Sequence, residues 1–225
     1  MLLPAIGDLL PAAAAVALSP FPIVAVVVVL GTERARTNGI AFAAGWTGGL
    51  AVLAAIVTAV TSGASEPDSA PSTAVGVVRV LLGLALFGLA AKTWRRRPRP
   101  GEETPMPGWM ASLDDASAGR TLVLGAALSG LNPKILALTV AGAASISQVG
   151  LDAMDTALAT AAFVVIGSST VLVAVGAHLL AGQRAAGPLA ALKRFMIDND
   201  TAIMLVVLVL LGANILGKGI ATLTA

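Results

Sequence analysis

Asn132-Pro133-Lys134 puts a helix-capping amide, a proline and a full positive charge inside a long apolar run. A cap residue followed by proline is a signal to start a helix, with proline at the first helical position. Lys134 falls about 13 residues into that run, roughly 20 Å along a helix rising 1.5 Å per residue. One side-chain length cannot carry its ammonium to either interface. Placing a charge there costs about 2.5–3.5 kcal/mol or more. The twelve acidic residues are Asp8, Glu33, Glu66, Asp68, Glu102, Glu103, Asp114, Asp115, Asp152, Asp155, Asp198 and Asp200, all in loops or at the ends of apolar runs. The expected remedies for Lys134 are therefore a neutral amine, a water-filled cavity, or an anion from outside the chain.

A restarted helix also has free N–H groups and about half a positive charge at its N-terminus, which favours anions. Leu18-Ser19-Pro20-Phe21-Pro22 repeats the signal in an earlier apolar run. Two such termini and an ammonium repel one another unless an anion lies between them. The sharp reading is an anionic-ligand site built from Ser19, Pro20, Pro22, Asn132, Pro133 and Lys134. Two alternatives stay open: a kinked helix whose lysine bonds freed carbonyls, including those around Pro22, and a lysine that couples to protons.

Other polar residues in apolar runs each carry a structural and a functional reading. Arg79, about one turn inside its run, snorkels outward or receives an anion on its way out. His178 is solvated at an interface or relays a proton. Asn214 is a further candidate for ligand binding, although it and Ser168-Ser169-Thr170 also suit bonding between helices. No Ser-His-Asp set, carboxylate pair or phosphate-cradling loop occurs, so no enzyme is expected. With no cysteine and one histidine, neither a thiolate site nor a dedicated metal centre is expected, and no cofactor is implied.

The elements that must hold these residues follow from composition. Of 225 residues, 57% are hydrophobic and 12% charged, and the mean hydropathy is +0.91. Soluble domains carry roughly 25% charge, so the chain reads as an integral membrane protein with membrane lipids as partners. The pI near 9.5 does not imply nucleic acid, because the net charge is only +2 and the basic residues lie between apolar runs. Met1 to Ala5 has no positive start, so no cleaved signal peptide is expected.

A span needs about 20 apolar residues, and six stretches qualify: 9–30, 39–62, 74–94, 121–147, 154–181 and 201–222. Residues 63–73 form an acidic polar loop. Trp94 beside Arg95-Arg96-Arg97 reads as an interfacial anchor, and a short piece around Trp109 as a surface helix. Residues 183–200 read as a basic connector. Gly45 and Gly49, four apart, suit close helix packing within the chain or in a homodimer. Eleven of the fourteen Lys and Arg fall on one side if the spans alternate. Both termini are then extracytoplasmic and the linker cytoplasmic, in the plasma membrane.

The whole chain, 1–225, thus reads as one all-α transmembrane domain. Repeat one is 1–97, the cytoplasmic linker 98–120, and repeat two 121–225. Three spans on each side of the linker enter from opposite faces. Leu18-Ser19 echoes Leu128-Ser129, and Leu81-Leu82-Gly83 echoes Leu210-Leu211-Gly212. The expected fold is six transmembrane helices as two inverted three-helix repeats with broken first and fourth helices, an arrangement that puts a site at the midplane.

Ser-Pro-x-Pro in the first span, Gly45-Trp46-x-x-Gly49 in the second, Asn132-Pro133-Lys134 in the fourth and Gly212-Ala213-Asn214-Ile215-Leu216-Gly217-Lys218-Gly219 at the end resemble the actinobacterial GAP and sulfolipid-addressing families. These sit in the lysine-exporter superfamily. The resemblance covers the chain in order and spacing. It implies inverted repeats and export of an envelope lipid, its precursor, or another anionic or amphipathic solute. Amino-acid exporters of the superfamily are more distant: they show a Pro-Gly-Pro-like first motif where this chain has Ser19-Pro20-Phe21-Pro22, which puts amino-acid export in doubt. The related thiol-based electron carriers are excluded by the absence of cysteine. A non-transporting scaffold for a lipid-synthesis or export complex is the alternative from a different class.

Overall fold

The computed structural model describes residues 2–63, 73–95, 97, 116–147 and 149–224. Among them every regular element is helical: α1 (Leu2–Ala17), α2 (Pro20–Leu30), α3 (Ala35–Gly63), α4 (Thr73–Arg95), α5 (Ala118–Gly130), α6 (Pro133–Ser147), α7 (Ala153–Ala181), α8 (Ala186–Asp198) and α9 (Asp200–Thr224). A segment apolar on all faces must satisfy its backbone internally once in lipid, and helix is the local way to do so. The loop at 64–72 and the linker at 98–115, with Trp109, lie outside the described residues.

Among the described residues three helical stretches are long and apolar enough to cross a membrane: Ala35–Thr61, Ala153–Asp198 and Asp200–Thr224. Counting each bent pair, α1 with α2 and α5 with α6, as one span brings the number to five. The chain is thus multi-pass in character. Six spans exceed that count, because α4 forms where the third span is expected but is not among the five.

Helix α1 starts at Leu2 and carries the exposed Asp8 just ahead of the first expected span. The connector at 183–200 is largely helical: Gly182, with a left-handed φ of 54°, ends α7 and leads through one 3₁₀ turn into α8. Only glycine adopts that φ without strain.

Contacts divide the chain into two compact units, Met1–Ala64 with Pro105–Ile197, and Ser65–Thr104 with Asp198–Ala225. Each unit draws on residues from both sides of the linker.

In the first unit α3 packs on α5, α7, α6 and α2, while α1 packs on α7 and α6, and α2 touches α5 and α7. Trp46, Phe42, Phe163, Leu9, Ile23, Leu50 and Ile135 are its largest fully buried side chains. The α3–α5 crossing is backbone on backbone. A Cβ on Gly45 would strike the Leu122 carbonyl oxygen, one on Gly125 the Phe42 carbonyl oxygen, and one on Gly49 the Ser129 hydroxyl. Small residues allow this approach. The glycine face is therefore occupied by packing within the chain, one of the two uses expected of it.

The second unit is the α4–α9 pair. The two Leu-Leu-Gly echoes meet there: a Cβ on Gly212 would lie 3.3 Å from the Gly83 carbonyl oxygen, and one on Gly83 would lie 2.9 Å from the Leu216 nitrogen. Arg79 Nη1 donates to Thr222 Oγ1 at 2.9 Å, tying α4 to the end of α9. Trp94 is half exposed, with the Arg97 guanidinium 4.0 Å over its ring.

Candidate functional site

Both interruptions form where the cap-proline pairs place them. At the first, α1 and α2 meet at 49°. Ser19 takes an extended conformation (φ −67°, ψ 121°), and Pro20 opens α2. Because Pro20 and Pro22 have no N–H, the carbonyls four residues before them lose their usual helical donors. The Val16 carbonyl accepts instead from the Ser19 N–H at 3.1 Å. The Ala17 carbonyl, the last of α1, accepts from Thr170 Oγ1 of α7 at 2.6 Å. Ser19, Pro20 and Pro22 are all buried. The Ser19 hydroxyl makes no cap bond and has no partner among the described residues. An unsatisfied buried hydroxyl costs roughly 1–3 kcal/mol, here at the positive end of a helix.

At the second interruption α5 and α6 meet at 57°. Leu131 ends α5 by donating its N–H to the Ala127 carbonyl at 2.8 Å. Asn132 Oδ1 then accepts from the Lys134 N–H at 3.0 Å, an N-cap bond of the ordinary kind, and Pro133 opens α6. Lys134 is half-buried one residue into the new helix. Leu131, at the bend itself, is 80% exposed.

The echo of Leu18-Ser19 in Leu128-Ser129 is corrected by this geometry. Ser129 lies inside α5, with its hydroxyl donating to the carbonyls of Gly125 and Ala126, both at 3.1 Å. The counterpart of Leu18-Ser19-Pro20 is Leu131-Asn132-Pro133.

Ser19, Pro20, Pro22, Asn132, Pro133 and Lys134 all fall in the first unit, where α1 packs on α6 and α2 touches α5. His178 is in the same unit, half-buried in the last turn of α7, with its carbonyl accepting from the Gly182 N–H. Arg79 and Asn214 belong to the second unit, Arg79 bonded to Thr222 and Asn214 exposed on α9. Two features have no counterpart in the expected site. Thr170 braces the first break from a neighbouring helix, and Ser168 is wholly buried with its hydroxyl unpartnered among the described residues. The Ser168-Ser169-Thr170 cluster was the available signal. It gave bonding between helices, which Thr170 supplies, but not its target.

Residues 9–221 match the family model described as Sap, sulfolipid-1-addressing protein. No curated protein and no solved structure matches the chain.

Proposed function

Because this chain belongs to the sulfolipid-1-addressing protein family, we propose that it exports or addresses an envelope lipid, or a precursor of one, around its two interrupted helix pairs. The observation that carries this reading is the pair of restarts in one unit, Ser19-Pro20 and Asn132-Pro133, bent by 49° and 57°. Broken helices at membrane depth occur where they are buried in protein or line a cavity. They leave helix termini to bind the charged parts of a substrate. An anionic headgroup would take the buried Ser19 hydroxyl as a donor, face the N-terminus of α2, and bring charge complementary to Lys134.

The architecture proposed with it has six spans, α4 being the third, in two inverted repeats of the lysine-exporter type. Its support is the pattern of helix pairs. Exchanging α1 with α5, α2 with α6 and α3 with α7 turns α3–α5 into α7–α1, α1–α6 into α5–α2, α3–α6 into α7–α2, and α2–α3 into α6–α7. All of these pairs are in contact. Alternating access would then move one repeat against the other around the restarts. The uneven distribution of Lys and Arg supports a plasma-membrane orientation with the linker and α8 on the cytoplasmic side. The chemistry is binding and movement, with no enzymatic step and no cofactor.

The test is lipid movement in vesicles reconstituted with the purified chain. Fluorophore-labelled phosphatidylglycerol and phosphatidylcholine, probed from outside with dithionite, report the two headgroups. The expected result is faster exchange of the anionic lipid than in protein-free vesicles, with less effect on the zwitterionic one. Equal rates with and without protein would favour the scaffold.

A further inference from the structure

The stretch Ala153–Asp198 runs for 46 residues, more than twice what a crossing needs. Its first part, α7, has 29 residues, about 43 Å at 1.5 Å per residue. The hydrocarbon core is only roughly 30 Å thick, so α7 alone completes the crossing. At Gly182 the backbone turns (φ 54°, ψ −130°), and α8 follows after one 3₁₀ turn. With 13 residues, α8 is too short to cross again. It therefore starts at the level where α7 leaves the hydrocarbon.

Residues 182–197 hold three basic side chains, Arg184, Lys193 and Arg194, and no acidic one. Arg184 and Arg194 are exposed, and Lys193 is half-buried. Residues seven apart share a line along a helix of 3.6 residues per turn. Leu189 and Met196 form one such line, and both are buried. Pro188 and Phe195 form the neighbouring line, and both are exposed, Phe195 by 55%. Lys193 and Arg194 flank this apolar arc on its two sides. One apolar line thus turns into the protein, a second turns outward, and cations border them. In water a lone exposed phenylalanine carries no meaning. At the edge of the hydrocarbon the same ring meets acyl chains, and the cations beside it meet phosphates, the pattern of a helix lying in the interface. Anionic lipid is the one occupant that supplies both the apolar and the negative complement.

We propose that α8 lies along the membrane surface, with Pro188 and Phe195 at the acyl boundary and Arg184, Lys193 and Arg194 on the phosphates of anionic lipids. It gathers anionic lipid beside the first unit, whether or not that lipid is moved.

The chain has no cysteine, so Phe195→Cys and Ala190→Cys each provide a single thiol. The first is on the outward apolar line, and the second is exposed on the far side of α8. Each is labelled with an environment-sensitive nitrobenzoxadiazole and reconstituted in vesicles of phosphatidylcholine and phosphatidylglycerol. The label at 195 should be quenched by lipids carrying a nitroxide high on the acyl chain, and little by iodide present on both sides. The label at 190 should show the reverse. Pro188→Cys should behave like Phe195→Cys, and it takes its place should that variant not fold by gel filtration. At equal mole fraction, nitroxide phosphatidylglycerol should quench the label at 195 at least about twofold more than nitroxide phosphatidylcholine. Arg184→Gln, Lys193→Gln and Arg194→Gln together should remove that difference, and about 0.5 M salt should shrink it.

Iodide quenching at both positions would place α8 in water, bare or beneath a soluble partner, and would overturn the proposal. Lipid quenching of equal strength at both would overturn it as well, since α8 would then be immersed. Equal quenching by the two lipids, or a preference that survives the three glutamines, would overturn the anionic-lipid contact. Quenching is read without transport. A chain that moves no lipid yet shows the predicted pattern ends the export reading and keeps the surface helix. Lipid movement with the label at 195 open to iodide ends the surface helix and keeps export.

Discussion

The breaks at Leu18-Ser19-Pro20 and Leu131-Asn132-Pro133 share a leucine, a cap residue and a proline, but they satisfy their backbones differently. Asn132 caps its own helix through the Lys134 N–H. Ser19 caps nothing, and the helix end before it is bonded from outside by Thr170 of α7. At the first break Ser19, Pro20 and Pro22 are buried while Leu18 is 44% exposed; at the second Leu131 is 80% exposed. The same local signal therefore yields one interruption held by its neighbours and one held by itself. The neighbour-held break keeps an unused hydroxyl at a helix N-terminus.

Each break also depends on the helix beside it, and the largest predicted effect lies there. Gly45→Ala pushes a Cβ onto the Leu122 carbonyl oxygen of α5, the helix that leads into the second break. Backbone on both sides leaves no side chain to yield, so the loss should reach about 3 kcal/mol or more, read as a collapse of the melting temperature in detergent. Gly167→Ala, beside the first break, meets only the side chains of Leu50 and Val16, both at 3.1 Å, and should be much milder. Similar losses at the two glycines would show that the two crossings do not differ as described.

Next in size is Thr170→Val, which keeps the shape and leaves the Ala17 carbonyl without its donor. A loss of about 1–2 kcal/mol is expected, with faster hydrogen exchange confined to the end of α1. No change there would mean that α7 does not hold the first break. Asn132→Ala should cost about 1 kcal/mol as a lost cap, whereas Asn132→Asp should keep most of it. The smallest effect carries the opposite sign. Ser19→Ala removes a buried hydroxyl with no partner among the described residues, so the resting protein should be unchanged or up to about 1 kcal/mol more stable. A clear loss of stability at Ser19 would erase the contrast.

Both restarts were legible because cap and proline act within four residues, and so was the glycine face, because small residues four apart declare a close crossing. Its partner was not legible, since nothing local to Gly45 names α5. Thr170 was readable as a bonding residue but not as the brace of Ala17, which lies 153 positions away. The echo Leu18-Ser19 with Leu128-Ser129 matched letters and missed the proline, the residue that forces the break. Helix α8 was read as connector because its basic residues hid an alternation of exposed and buried positions, with Leu189 and Met196 buried.

The most direct measurement is anionic-lipid exchange in vesicles holding equal amounts of folded wild-type chain, Lys134→Met and Ser19→Ala. The account predicts that Lys134→Met loses most of the phosphatidylglycerol exchange, and that Ser19→Ala loses part of it while remaining at least as stable as wild type. Exchange at the wild-type rate in both variants would contradict it, and would leave the two interrupted helices as structural bends alone.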